Sequence, residues 1–200
     1  MNTDELLRQY NSGTRDFMRL NLVDAYLHER CLPAINLSQS DLANANLSGS
    51  NLLCANLSAT VLTRATLWRS NLSQARLMSA NLAEANLIRA ELTEINGNRA
   101  SLMKADLRLA NLQGANLSHV NLIGADLRYA NLTGADLTGA DLSRANLTGA
   151  TLCQADLTRV ILKHTIFDKT DISDASLVGV DLSQVDLDRA IDRREIFILS

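Results

Sequence analysis

Apolar residues recur at every fifth position through most of this chain. Steps of five from Phe17 to Leu187 give 35 positions, of which 31 are Leu. Phe17, Phe167 and Ile172 are apolar substitutes, and Gly97 is the one break. A period of five suits neither an α-helix, which buries every third or fourth residue, nor a flat strand, which buries every second. A second column resolves the mismatch. Two residues before each Leu stands a small residue, mostly Ala (Ala45, Ala55, Ala65), otherwise Ser, Thr or Val (Ser50, Thr60, Val120, Val160). In an extended segment residues two apart share a face, so the small residue and the Leu both point inward. The residue between them, usually Asn or Asp as at Asn46, Asn71, Asp106 and Asp141, points out. The next two residues must then turn a corner. The pattern predicts a chain wound around an axis, with short sides and regular corners: an all-β solenoid.

The corners carry their own signature. Seven of the nine glycines lie two residues after a Leu: Gly49, Gly114, Gly124, Gly134, Gly139, Gly149 and Gly179. A type II turn needs positive φ at its third residue, and Gly accepts it. The slot after each Leu is rich in Ser and Thr, whose hydroxyls bond local backbone. This is turn chemistry; neither GxGxxG nor GxxxxGK[ST] occurs.

Runs such as Ala130-Asn131-Leu132-Thr133-Gly134 and Ala135-Asp136-Leu137-Thr138-Gly139 resemble the A(D/N)LXX unit of the pentapeptide-repeat family over residues 15–189. The resemblance implies a right-handed quadrilateral β-helix with four pentapeptides per coil. On that reading 35 repeats divided by four make about nine coils. At roughly 4.8 Å per coil the rod would be about 40 Å long. The opening Leu7-Arg8-Gln9-Tyr10 and Gly13-Thr14-Arg15-Asp16-Phe17 is similar to the start of cyanobacterial members.

Residues 1–14 read as an N-terminal helical cap. Thr3 is a candidate N-cap for a helix through Tyr10, with Gly13 as the stop. Leu6, Leu7 and Tyr10 share one face and would seal the first coil; the other reading is a partner-binding helix. Residues 190–200 read as a C-terminal cap or tail, whose Ile196-Phe197-Ile198-Leu199 either lies over the last coil or pairs with a second molecule. A monomer is favoured, with a C-terminal dimer as the alternative. An apolar content of 46% suits a folded domain. The polar start Met1-Asn2-Thr3-Asp4-Glu5 is unlike a secretory leader. Cys31, Cys54 and Cys153 stand in outward slots, and Cys153 is about five coils from Cys54, beyond disulfide reach. These features point to a cytoplasmic protein that does not engage a membrane.

No catalytic constellation is visible. His28, His119 and His164 are isolated, and CxxC, HExxH and calcium-loop motifs are absent. Asp and Asn alternate freely in the slot before Leu, which suggests hydrogen bonding rather than metal binding. No cofactor or metal is expected. The informative residues are those that depart from the repeat. Folding the sequence at 20 residues per coil stacks Trp68, Ile88, Arg108 and Arg128 in one column and Arg69, Arg89, Leu109 and Tyr129 in the next. Trp, Tyr and Arg anchor protein interfaces, so these eight residues form a candidate partner-binding patch. The bland alternative is that long side chains merely decorate an exposed sheet. Nucleic acid is a weaker fit, because the net charge is −3. The second departure is Ile95-Asn96-Gly97-Asn98. Gly97 deletes a core Leu, Ile95 enters a small slot, and Asn-Gly-Asn favours left-handed backbone, so an outward bulge is expected.

The leading functional expectation is a non-enzymatic, regulatory scaffold that presents a rigid face to a protein partner. The alternative, implied by the family, is a DNA mimic acting on a type II topoisomerase. That role needs an extended acidic face, whereas Asp126, Asp136, Asp141 and Asp156 look scattered around the coil.

Overall fold

The computed structural model describes residues 1–183, 185–187 and 189–191. The apolar tetrad at 196–199 therefore lies outside the described residues. From Asp16 onward the chain winds as a right-handed β-helix. Every bridge is parallel and pairs residue n with residue n+20, as in Asp106↔Asp126, and successive bridges step by five residues. Twenty residues per turn divided into steps of five gives a coil with four sides. We number the sides by their first core residue: side 1 from Phe17, side 2 from Leu22, side 3 from Leu27 and side 4 from Leu32. Each side is so short that a single residue carries its bridge.

Three backbone bonds recur between coils. On side 3, Leu107 N–H donates to Asp126 C=O at 2.7 Å, Leu109 N–H to Arg128 C=O at 3.0 Å, and Asp126 N–H to Ala105 C=O at 3.0 Å. A fourth closes each corner, as where Ala110 N–H donates to Leu107 C=O at 3.0 Å. Every third turn residue from 19 to 179 has positive φ; seven are Gly and the other 26 include Arg, Glu, Ala, Leu and Tyr. Left-handed backbone costs a non-glycine residue about 1–2 kcal/mol. The coil imposes it, because the same residue must donate its N–H to the next coil.

The slot before Leu behaves more subtly than a plain outward residue. Its Oδ1 curls back to accept the backbone N–H two residues on: Ser48 N–H to Asn46 at 3.0 Å, Thr138 N–H to Asp136 at 2.9 Å. Asn and Asp offer the same Oδ1 acceptor, which explains their interchange. Inside, the Leu and Ala columns form one continuous buried core. Where Ser or Thr replaces Ala, its hydroxyl donates to a core-side carbonyl, as Ser70 does to Leu67 (2.7 Å) and Thr165 to Leu142 (2.8 Å).

Helix α1 spans Thr3–Asn11. Its N-cap is Asn2 rather than Thr3: Asn2 is extended, and its Oδ1 accepts Glu5 N–H at 2.9 Å. Leu6 and Tyr10 are buried and Leu7 packs beside them. The Tyr10 hydroxyl donates to Pro33 C=O at 2.7 Å, and the Arg15 guanidinium carbon lies 3.9 Å from the Tyr10 ring centre. The apolar face of α1 is thus engaged with the first coil. Ser12 N–H bonds the carbonyls of Arg8 and Gln9, and Gly13 takes φ 103° to end the helix.

No outward bulge forms at Ile95-Asn96-Gly97-Asn98. Asn96 bridges to Arg76 and to Asn116, and Gly97 N–H donates to Asn116 C=O at 2.8 Å. The compensation is internal. A Cβ on Gly97 would stand 3.1 Å from Leu117 Cδ2 and 3.7 Å from Ile95 Cδ1. These two side chains lean into the space of the missing Leu. A closed apolar cavity of about 10 Å³ remains, lined by residues that include Leu77, Leu92, Ile95, Leu102 and Leu112.

Candidate protein-binding face

Side 3 carries the first of the two departures from the repeat. The regular coil sets its two outward columns side by side: Trp68, Ile88, Arg108 and Arg128, then Arg69, Arg89, Leu109 and Tyr129. Ile88, Arg89, Arg108, Leu109, Arg128 and Tyr129 line one open groove. Trp68 and Arg69 continue it one coil earlier, with the Arg69 guanidinium carbon 4.9 Å from the Trp68 ring centre. Trp68 is 41% exposed, Leu109 47% and Tyr129 62%. Folding at 20 residues per coil therefore does bring all eight residues together.

Two groups that complete this face were not singled out from the sequence. Asp106 and Asp126 bridge to each other in the column beside Arg108 and Arg128. Arg108 donates to Asp106 through Nε at 2.8 Å and Nη2 at 2.7 Å. Arg128 grips Asp126 in the same way, at 2.8 and 2.6 Å. Arg108 Nε also lies 3.7 Å from Asp126 Oδ2. Partial burial pushes the Asp126 carboxyl up, but the Arg128 side chain and N–H, with Arg108, more than reverse this and hold it below the usual carboxylate range. The Asp106 carboxylate raises Arg108 in turn. The two arginines are thus each held by an aspartate two residues before them. The available signal was spacing: an Asp two residues before an Arg, repeated 20 residues later.

Gly149 is the other missed residue. A Cβ there would stand 2.6 Å from the Tyr129 ring, so the absence of a side chain lets Tyr129 lie over the next coil. Gly139 seats His119 in the same manner on side 1, at 2.8 Å.

The acidic residues are less scattered than expected. Asp136 bridges to Asp156 on side 1, and Asp106 to Asp126 on side 3, while Asp141 stands on side 2. Both stacks are only two residues deep, and that on side 3 is neutralised by its arginines. Among the described residues, no group of three or more His, Cys, Asp or Glu is placed to hold a metal ion. No described helix is long and apolar enough to cross a membrane.

The family model described as pentapeptide repeats matches in eight copies that together span residues 21–184. No curated protein matches the sequence. Among solved structures the chain is similar to HetL, a pentapeptide repeat protein involved in heterocyst differentiation regulation from the cyanobacterium Nostoc sp. strain PCC 7120. The two are 33% identical over 96% of this chain and 97% of HetL, with a TM-score of 0.53. The fold also matches a trypsin-treated variant of QnrB1, a plasmid-mediated fluoroquinolone resistance protein, at 19% identity over 90% of this chain and 92% of that one, TM-score 0.55. A five-residue repeat matched along most of its length, wound as a four-sided coil, places this chain in the pentapeptide-repeat family.

Proposed function

We propose that this chain is a non-enzymatic regulatory scaffold that binds a protein partner through side 3. One observation carries the reading. An exposed Leu, an exposed Tyr and three arginines line one groove of a rigid surface, and the only Trp of the chain extends it with a fourth arginine one coil earlier. Interfaces draw their energy from such anchors, particularly when the scaffold is preorganised. The clamps on Arg108 and Arg128 supply that preorganisation. The similarity to HetL, whose role is regulatory, supports a regulatory setting. The groove contains no nucleophile–base pair, so recognition accounts for it better than catalysis does.

The test is partner capture by the tagged protein from lysate of its source organism. Trp68→Ala and Arg108→Glu are each expected to abolish capture with an unchanged circular dichroism spectrum. Capture that survives both removes side 3 from consideration. The topoisomerase reading has less support, because the acidic stacks are short and one is internally neutralised.

A further inference from the structure

We propose that the occupant of side 3 is an acidic amphipathic helix of the protein partner, laid along the rod axis across four coils. The inference rests on the binding role assigned to this face above and names its partner class.

Charge is the first argument. The patch holds four cations (Arg69, Arg89, Arg108, Arg128) against two anions (Asp106, Asp126), a local charge of +2 in a chain whose total is −3, so the remainder carries −5. An acidic partner is attracted to this patch, against a net-acidic remainder of the chain. Arg89 forms no ion pair with any described residue. Arg108 and Arg128 engage their aspartates through Nε and Nη2, which leaves Nη1 of each for an external acceptor.

Apolar placement is the second. Trp68, Ile88, Leu109 and Tyr129 lie on four successive coils, one per coil, within the arginine field. Ile88, Leu109 and Tyr129 belong to the groove itself. The partner must therefore offer an apolar stripe bordered by acids.

Spacing selects the helix. Coils stack at about 4.8 Å, so three steps from Trp68 to Tyr129 cover about 14 Å. A helix rises about 5.4 Å per turn, so ten residues cover about 15 Å and one side chain reaches each coil. An extended strand on the same axis presents a side chain to one face about every 6.7 Å and loses step within two coils. Small residues bound the groove at both ends: Ser48 and Gly49 before it, Thr148 and Gly149 after it.

The test uses fluorescein-labelled synthetic helical peptides of about five turns. They share one leucine stripe, bordered by Glu, Gln or Lys, and are titrated with the full chain by fluorescence anisotropy. The Glu peptide should bind at least about tenfold tighter than the Lys peptide. Arg69→Glu/Arg89→Glu should remove that preference. Arg99→Glu/Arg159→Glu changes net charge equally but on side 1, and should retain it. Circular dichroism checks that both variants fold. Equal binding of the three peptides, equal loss in both variants, or displacement of the Glu peptide by a duplex oligonucleotide would each overturn the proposal. If the peptides fail while Trp68-dependent capture persists, the partner class is wrong and the binding face stands. If capture ignores Trp68 and Arg108, the face itself is wrong.

Discussion

Sides 3 and 4 of this coil share a backbone, a ladder and a core, yet present opposite surfaces. On side 4 the bridging column reads Asn51, Asn71, Glu91, Asn111 and Asn131, and the polar groups of the last three are spent on one another. Asn131 donates to Asn111 at 3.1 Å, and Asn111 to Glu91 at 3.0 Å. On side 3 the equivalent column holds Asp106 and Asp126, which point their carboxylates sideways and fix Arg108 and Arg128 for external use. The core decides that a rod forms. The outward columns decide what each side can do.

The largest effect should be blind to this difference. Leu107→Ala on side 3 and Leu132→Ala on side 4 each empty a fully buried core position away from the Gly97 cavity, and each should cost about 2–5 kcal/mol. Chemical denaturation that finds one of them nearly neutral would show that the sides are not equivalent scaffolds. A smaller effect concerns the defect at Gly97. Because Ile95 and Leu117 already lean into the gap, Gly97→Leu alone should overpack and cost about 1–3 kcal/mol. Adding Ile95→Ala restores the repeat and should recover the loss; a double variant no more stable than Gly97→Leu would contradict the internal compensation.

Two corner glycines separate the sides more finely. Both have positive φ, so an Ala at either pays a backbone cost of about 1 kcal/mol. At Gly134 on side 4 a Cβ meets nothing within 4 Å, whereas at Gly149 on side 3 it meets the Tyr129 ring at 2.6 Å. Gly149→Ala should therefore destabilise more than Gly134→Ala and alter the Tyr129 ring resonances. Equal costs with an unmoved ring would contradict the seat. The smallest effect is titration. The carboxyl of Asp126 is depressed in the folded chain. Its pairing with Arg128 contributes fully above the unfolded carboxylate value of about 3.9 and is lost as pH falls through the lower folded value. The Asn111–Asn131 bond carries no titratable group. Carboxyl-carbon NMR should place the Asp126 midpoint below about 3.9, and a midpoint above that would dissolve the clamp.

Much of this was legible in the sequence, for physical reasons that differ by residue. The leucine register defines a wound chain because residues two apart must share a face. It does not count the sides: four comes from family resemblance and then from bridges such as Asn81↔Ser101. The eight residues of side 3 were recoverable because a strict repeat turns sequence distance into spatial distance. Their clamps show in the sequence only as an Asp two residues before an Arg, repeated 20 residues later, because an Asp before Leu107 taken alone looks like any other repeat residue. At Gly97 the local signal and the surrounding ladder oppose each other. Asn96-Gly97-Asn98 has the local signature of a bulge, but the ladder from Arg76 and Asn116 holds it flat, and a shift of Ile95 and Leu117 is cheaper than breaking the backbone bonds to both neighbouring coils. At α1 the register slipped by one residue, since Asn2 and Thr3 are both competent caps and only the backbone distinguishes them.

The central claim is that recognition resides in the outward columns of side 3 and that side 4 is inert. Hydroxyl-radical footprinting of the partner-bound chain addresses this most directly, because both sides carry oxidisable probes on the same rod. Trp68, Leu109 and Tyr129 should be protected on binding, while Leu53 and Cys54 on side 4 react as in the free chain. Protection of Leu53 and Cys54, with Trp68 and Tyr129 unchanged, would contradict it.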